Sequence, residues 1–216
     1  MYNIYGAAGS GPVAIEAVLE LMEVPYQVLV EAPTWEGEAE RAKVTPVNPM
    51  AQLPVLVTTQ GEVITESAAI LLWLTEQHPE ANLAPKPGCA TRAQFLRWMS
   101  FIPAAIYSMY WVRDEPERIA GDNKAVYPEL LQRTADRIAH CWNVMDSQLT
   151  PQLFLLGQQM SVLDIYVTVA SRWTPGRRRF YQVAPGMAEV VRRVDGLVQL
   201  KDFWARRFPF NTDWDG

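Results

Sequence analysis

The sequence predicts an α+β protein of two domains, in which an N-terminal βαβαββα domain precedes an all-helical bundle. Three observations predict this arrangement. Short apolar runs alternate with helically patterned segments through the first 80 of the 216 residues. Residues 81–88 then contain two prolines and a glycine, which is typical of a linker. From residue 89 onward the pattern is that of helices only. We therefore predict domains at residues 1–80 and 89–216.

The chain begins with a strand, a helix and a second strand. Residues 2–5 form a short apolar run, and the glycine-rich residues 6–12 follow as a loop. Pro12 suits the first turn of a helix, where its missing N–H is not needed. Residues 13–22 carry apolar side chains at helical spacing, and residues 27–30 are strand-like. This order predicts a parallel strand pair with a right-handed crossover.

A short helix, a hairpin and another helix complete the N-terminal domain. Residues 36–44 predict the short helix. The hairpin combines an apolar run at residues 53–57 with a second run at residues 62–64, joined by a polar turn. Residues 65–67, Thr-Glu-Ser, then open an apolar helical segment at residues 68–74. Polar residues therefore lie where the hairpin meets the helix.

The start of this last helix predicts a binding site for an amino-acid head group. The first turn of a helix has unpaired N–H groups and a partial positive charge, which together favour a carboxylate. Ser67 adds a hydroxyl, and Glu66 can receive an ammonium group. The alternative is that Thr65 or Ser67 only caps the helix and that Glu66 only complements its dipole.

The C-terminal domain is predicted to be a set of helices. Residues 91–111 are rich in aromatic and apolar side chains and predict one helix with a kink at Pro103. Residues 113–123 are charged and contain a proline and a glycine, so they predict a loop or a broken helix end. A second long helix is predicted at residues 126–149, with its apolar residues along one side.

A capping box precedes the apolar helix that we expect to be most deeply buried. Ser161 and Asp164 stand at the Ser-x-x-Asp spacing, in which each residue bonds the backbone of the other. The buried helix is predicted to continue to residue 173.

The end of the chain is predicted to contain two further helices, at residues 185–194 and 198–207, and an aromatic tail at 208–216 that packs back on the body. Before them, residues 174–179 predict a basic loop. Its arginines, Arg177 to Arg179, are expected to be solvated, with an anionic substrate as the alternative.

One stretch carries a resemblance to a known family. Residues 48–55 read Asn-Pro-x-x-Gln-Leu-Pro-Val, and Thr-Glu-Ser follows ten residues beyond. This combination resembles the glutathione-binding half of the glutathione S-transferases, which have a thioredoxin-like first domain and a helical second domain. The resemblance implies a cis Pro54, with the backbone of Leu53 facing the glutathione cysteine. It also implies that Glu66 and Ser67 hold the γ-glutamyl end, and that Ser161 and Asp164 serve folding.

The loop at residues 6–12 contains no cysteine, which makes thioredoxin-type disulfide exchange an unlikely chemistry. The reactive thiol must then come from the ligand, and glutathione as a co-substrate supplies one. A free thiol has a pKa near 8.5 and needs a donor to ionise at neutral pH. Ser10 is the candidate catalytic residue in this loop. The resemblance leaves open whether Gly9 or Gly11 holds that position and offers a backbone N–H.

The resemblance also implies a pocket for the second substrate at the end of the first long helix. The candidate residues are Tyr107, Tyr110 and Arg113, facing a small, apolar electrophile. The implied activity is that of a glutathione transferase acting in detoxification as a homodimer.

Composition excludes several other classes of function. The chain is 49% hydrophobic and 20% charged, with a net charge of −5, so it has no basic footprint for nucleic acid. No apolar run approaches the ~20 residues that span a bilayer, and the N-terminus lacks a secretory pattern. Cys89 and Cys141 form no metal or redox motif. We expect a cytoplasmic protein without a metal.

Three alternatives to the transferase remain open. A glutathione-dependent isomerase of the maleylacetoacetate type would carry Ser-Ser-Cys in the first loop, which this sequence lacks. A glutathione-dependent disulfide reductase uses the same fold. A non-catalytic member that binds glutathione or a protein partner fits the Gly-Ser-Gly sequence at residues 9–11.

Overall fold

The N-terminal part of the protein is a four-stranded sheet with helices, as predicted. A computed structural model of the chain describes residues 1–173 and 175–211. The strands are β1 (Tyr2–Gly6), β2 (Tyr26–Glu31), β3 (Val55–Val57) and β4 (Val63–Thr65). They form one sheet in the order β2-β1-β3-β4. β1 and β2 are parallel, whereas β3 is antiparallel to both β1 and β4.

Three helices complete this part of the fold. They are α1 (Pro12–Leu21), α2 (Glu38–Val44) and α3 (Ser67–Gln77), preceded or followed by short 3-10 turns at Thr34–Glu36 and Pro79–Ala81. The order βαβαββα is therefore confirmed. β3 begins two residues later than predicted, because Pro54 has no N–H with which to join the ladder. The boundaries of the linker at residues 81–88 stay a prediction.

The C-terminal part is mostly helical in its described residues. The helices are α4 (Arg92–Phe101), α5 (Ser108–Asp114), α6 (Glu117–Ala120), α7 (Tyr127–Gln148), α8 (Val162–Ala170), α9 (Arg177–Val183), α10 (Pro185–Asp195) and α11 (Lys201–Arg207). Short 3-10 turns precede α7 and α11, at Lys124–Val126 and Val198–Leu200. No helix in the described ranges is both long and apolar enough to cross a membrane.

The predicted kink at Pro103 takes the form of a π-helical segment, Ile102–Tyr107, between α4 and α5. A proline cannot donate the usual helical hydrogen bond, and a wider turn accommodates it without ending the helix. For residues 113–123 the structure fits the predicted broken helix end, since α5 ends at Asp114 and the short helix α6 follows.

α8 lies at the centre of the core. All nine of its residues are buried, and it packs against α1, α3, α4 and α10. The apolar cluster around it is continuous from the sheet to the last helix. The two parts of the chain therefore share one core and do not merely touch.

The predicted capping box at the start of α8 is confirmed. Asp164 is fully buried. Its Oδ2 accepts hydrogen bonds from the Ser161 backbone N–H at 2.8 Å and from the Ser161 hydroxyl at 3.0 Å. Its Oδ1 accepts the backbone N–H of Leu155 at 2.8 Å. The carboxyl group therefore fixes both the helix start and the loop before it.

The prediction that Arg177 to Arg179 form a solvated loop was wrong for Arg177. Arg177 is the first residue of α9 and is fully buried. Its guanidinium pairs with Asp195 at 2.5 Å and donates to the Ser171 hydroxyl and the Thr168 carbonyl, both at 2.8 Å. A buried charge is tolerated when it is paired and hydrogen-bonded in this way.

The remaining arginines of the predicted loop lie on the surface, and the start of the tail packs inward. Arg178 and Arg179 are exposed, as expected. Phe208, at the start of the aromatic tail, packs against the core. Residue 174 of the predicted loop and residues 212–216 of the tail lie outside the described residues.

We expect Asp164→Ala to lower the free energy of unfolding by about 2–4 kcal/mol. The substitution leaves buried N–H donors of Leu155 and Ser161 without an acceptor, at about 1–3 kcal/mol for each group. Denaturant unfolding monitored by circular dichroism measures the loss. Asp136→Ala, on the exposed side of α7, is the control and should change stability by less than about 0.5 kcal/mol. Equal stability of the two variants would contradict this role of Asp164.

Asp164 should also make folding stability depend on pH. Burial raises its pKa to about 6, although the hydrogen bonds from Leu155 and Ser161 favour the ionised form. An unfolded aspartate has a pKa of about 3.9, so between about pH 4 and 6 the folded state binds more protons. Stability contributed by this group must then fall as pH rises through that window.

The measurement compares the wild type with Asp164→Asn, in which the side chain does not titrate. The stability advantage of the wild type should shrink by up to roughly 3 kcal/mol between about pH 4 and 6. An advantage that grows with pH would mean that the ionised carboxylate is the stabilised form.

Candidate functional site

A cleft of about 1180 Å³ lies between loops of the N-terminal part and helices of the C-terminal part. It brings together every candidate ligand-binding and catalytic residue of the sequence analysis. These residues are Ser10, Leu53, Pro54, Glu66, Ser67, Tyr107, Tyr110 and Arg113. Ser161 and Asp164 do not line it, in keeping with their structural role.

Leu53 offers free backbone groups to this cleft. The Leu53–Pro54 peptide bond is cis, as the resemblance implies. Pro54 is buried, and the chain then enters β3. Within the described residues, the Leu53 N–H and C=O have no hydrogen-bond partner. They can therefore pair with the backbone of an extended peptide, as a free strand edge does.

The start of α3 presents unpaired N–H groups. The N-cap is Glu66, and its side chain makes no capping bond. The alternative that Thr65 or Ser67 caps this helix was therefore wrong. Glu66 is exposed and has a φ of 66°, which a non-glycine residue rarely adopts. Its backbone turns sharply into the helix, and the N–H groups of the first turn stay available to an anion.

Ser67 links this helix start to the centre of the core. Its hydroxyl lies 2.6 Å from the hydroxyl of Tyr166, in α8, and both groups are buried. A serine hydroxyl has one donor and two acceptor positions. The bond to Tyr166 therefore fixes the orientation of Ser67 and leaves two of these three positions for other partners.

The first loop, residues 7–11, is held from both parts of the chain. The hydroxyl of Ser10 is buried and donates to the Ala7 carbonyl at 2.5 Å, so its proton is not directed into the cleft. The Gly9 N–H donates to the Arg207 carbonyl at 2.8 Å. The Gly9 carbonyl accepts from the Trp173 indole at 2.6 Å.

Gly11 lies between Pro54 and Tyr107 in the cleft. A Cβ atom there would lie 3.7 Å from Pro54 and 3.8 Å from the ring of Tyr107, which is ordinary van der Waals contact. The Gly11 N–H has no hydrogen-bond partner within the described residues. The loop therefore contributes one free backbone donor beside Pro54.

Tyr107 contributes a free hydroxyl next to the same loop. Its ring packs against Tyr166 and Trp173, at centroid distances of 5.3 and 4.8 Å. The hydroxyl oxygen is fully buried and has no hydrogen-bond partner within 3.5 Å in the described part of the chain. Burial, and after it the interaction with the nearby Tyr166 hydroxyl, raises the pKa of Tyr107 well above its ordinary value. The group is therefore neutral at physiological pH and can donate.

The second wall of the cleft is aromatic and ends in Arg113. The ring of Tyr110 packs edge-on against Trp173, with centroids 5.1 Å apart, and its hydroxyl donates to the Trp173 carbonyl at 3.4 Å. Arg113 lies one turn further along α5. Its Nη1 donates to the Thr134 hydroxyl at 3.0 Å and also to the Leu131 carbonyl.

Several lining residues were not predicted from the sequence. The segment from residue 34 to 52 contributes Trp35, Arg41, Asn48 and Gln52. Arg41 forms an ion pair with Glu115, which joins α2 to the end of α5. This segment has no clear periodicity, so its pattern could not identify the residues that face the cleft.

Neither histidine belongs to the cleft lining. His78 lies 3.1 Å from the Tyr2 hydroxyl, and His140 is exposed on α7. Among the described residues, no group of three or more His, Cys, Asp or Glu side chains could hold a metal ion.

Comparison with known proteins connects this cleft to one family. A family model for the N-terminal domain of glutathione S-transferases matches residues 14–77. The uncharacterized GST-like protein YncG of Escherichia coli (strain K12) is 31% identical over 210 residues. That similarity covers 95% of this chain and 98% of the relative.

Solved structures support the same fold. A glutathione transferase homolog from Sulfitobacter, with bound glutathione, matches with a TM-score of 0.84 at 19% identity, over 95% of this chain and 98% of that one. A sphingomonad glutathione S-transferase complexed with glutathione matches with a TM-score of 0.73 at 20% identity. It covers 96% of this chain and 100% of its own length. The predicted two-part fold is confirmed.

Proposed function

The chain belongs to the glutathione S-transferase family, and from this premise we propose that its cleft binds glutathione and activates the thiol for attack on a small electrophile. The observation that carries the proposal is the arrangement of three kinds of group in one cleft. These are the free backbone of Leu53, the uncapped start of α3, and the unpartnered hydroxyl of Tyr107.

The γ-glutamyl end of glutathione fits the start of α3. Its carboxylate would accept hydrogen bonds from the free N–H groups of the first turn and from the Ser67 hydroxyl. Its ammonium group would face the exposed carboxylate of Glu66. The cysteinyl backbone would pair with the N–H and C=O of Leu53. These contacts direct the thiol toward the loop that contains Ser10 and Gly11.

The thiolate needs donors that are not already in use. Ser10 donates to Ala7, whereas the Tyr107 hydroxyl and the Gly11 N–H have no partner in the described residues. We therefore assign the larger share of thiolate stabilisation to Tyr107, with Gly11 in support. Ser10 then serves chiefly to shape the loop. A donor hydrogen bond to the charged sulfur lowers the pKa of the thiol.

The reaction would then be an ordinary conjugation. The thiol proton passes to solvent, the sulfur forms a bond to an electrophilic carbon, and the leaving group on that carbon departs with the electron pair of the broken bond. The aromatic wall of Tyr110 and Trp173 would hold the electrophile. A homodimer, a cytoplasmic location and a role in detoxification are further expectations from the family.

A second candidate function is glutathione binding without turnover. It is favoured by Ser10, whose hydroxyl is committed to the Ala7 carbonyl, and by the absence of a cysteine from this loop. The thiol titration described below separates the two candidates, since a protein that only binds glutathione has no need to ionise it.

We expect the wild type to bind glutathione, and Glu66→Gln and Ser67→Ala to bind it less tightly. Loss of the charge at residue 66 should raise Kd by about 10–100-fold, and loss of the Ser67 hydroxyl by about 3–10-fold. Isothermal titration calorimetry measures both. Glu62→Gln, which alters an exposed carboxylate outside the cleft lining, is the control and should leave Kd unchanged. Absence of binding at millimolar glutathione would refute the proposal.

We expect Tyr107→Phe to raise the pKa of bound glutathione by about 1–2 units, since a hydrogen bond to a charged group contributes about 1.5–3 kcal/mol. Ser10→Ala should shift it by less than about half a unit. The ultraviolet absorbance of the thiolate, followed against pH in the complex, gives the value. Tyr110→Phe is the matched control. A larger shift in Ser10→Ala than in Tyr107→Phe would return the catalytic role to Ser10.

A further inference from the structure

The arginines that line the cleft differ in how their charge is balanced. Arg41 and Arg118 share the carboxylate of Glu115. Arg172 pairs with Asp195 at 2.5 Å. Within the described residues, Arg113 alone of the lining arginines has no carboxylate within 4 Å. It therefore brings into the cleft a positive charge that no carboxylate contacts directly, with Asp114 acting on it only at longer range.

Arg113 is also held in place. Its Nη1 donates to the Thr134 hydroxyl and to the Leu131 carbonyl, both from α7. Its Nε and Nη2 have no partner among the described residues. A guanidinium whose position is fixed loses little further freedom on binding, and its planar fork matches a carboxylate. The geometry is that of an anion receptor with its donors free.

The groups around Arg113 suit an aromatic anion. Tyr110 and Trp173 provide an apolar wall. The guanidinium of Arg118 stacks on Trp111, with its Cζ 4.9 Å from the ring centroid. Asp114 also lines the cleft and opposes an anion. Its surface is exposed and it forms no ion pair within 4 Å in the described residues, but it interacts at longer range with the charges of Arg118 and Arg113. Desolvation by neighbouring groups raises the pKa of its carboxyl group, which weakens its opposition to an anion.

We propose that the second substrate is an aromatic electrophile that carries a carboxylate, and that Arg113 binds this carboxylate. The inference rests on the proposed function and changes one part of it, because a wholly apolar electrophile would leave Arg113 unpaired. The glutathione sulfur forms a bond to the ring carbon that carries a halide. The carbon–halide bond breaks, and the halide leaves with the electron pair. The carboxylate is unchanged and stays on Arg113.

The test compares two electrophiles that differ only in charge. They are para-chlorodinitrobenzoate, with both nitro groups next to the chlorine, and the matching carboxamide. Each kcat/KM is divided by the rate constant of the uncatalysed reaction with glutathione, which removes the difference in intrinsic reactivity. The wild type should prefer the carboxylate at least about tenfold, as a charge-assisted pair predicts. Equal values, or a preference for the carboxamide, would overturn the inference.

Variants of Arg113 then test whether this residue causes the preference for the carboxylate over the carboxamide. Arg113→Gln should lower kcat/KM for the carboxylate by about 10–100-fold and change that for the carboxamide by less than about threefold. Arg113→Lys should retain part of the preference. Arg133→Gln is the control, because Arg133 is exposed outside the cleft lining and pairs with Glu129, and the preference should persist. Thermal melting checks that loss of the contacts to α7 has not unfolded the protein. If Arg113→Gln does not fold, the wild-type comparison still decides.

The outcomes separate this inference from the proposed function. If calorimetry shows no glutathione binding, the proposed function fails. If glutathione binds and both electrophiles react equally well, only the present inference fails. If Arg113→Gln weakens glutathione itself tenfold and leaves the ratio of the two electrophiles unchanged, Arg113 holds a carboxylate of glutathione, and the inference is overturned. If neither electrophile reacts, the dechlorinated pair is titrated into the glutathione complex. Equal affinity there also overturns it.

Discussion

The buried carboxyl group of Asp164 is the interaction on which the rest of the structure depends. It fixes the first turn of α8 by bonding Ser161 and Leu155. α8 in turn carries Tyr166, whose hydroxyl orients Ser67 and whose ring packs against Tyr107. A contact that touches no ligand therefore sets the position of two polar groups in the cleft. This dependence explains why a helix in the C-terminal part matters for a site that begins in the sheet.

The first loop is also set by distant contacts. Gly9 bonds the Arg207 carbonyl through its N–H and the Trp173 indole through its carbonyl. Arg207 pairs with Glu16 at 2.7 Å and with Glu31 at 3.2 Å. These bonds connect the last helix to the first helix and the second strand. The loop that faces the thiol in our proposal is thus built by the end of the chain as much as by its beginning.

The sequence predicted those features that depend on neighbours along the chain. The strand–helix order and the capping box at Ser161 follow from local patterns, the cis Leu53–Pro54 bond follows from the family resemblance, and the structure contains each of them. Features that depend on distant partners were missed. Arg177 is buried because Asp195 and Ser171 meet it in space. Arg41 and Glu115 form an ion pair although they are far apart in the sequence, and a local pattern cannot predict such a pair.

The cleft has walls of two different origins, and this has an evolutionary consequence. The groups suited to the backbone and the γ-glutamyl end of glutathione are Leu53 and the start of α3, and the family model covers both. The opposite wall comes from α5, with Tyr110 and Arg113, and from the segment after α8, with Trp173, both outside the matched region. A lineage can therefore exchange one wall while it retains the other. Related proteins can therefore come to accept different electrophiles through substitutions in α5, while the half that we propose binds glutathione stays the same.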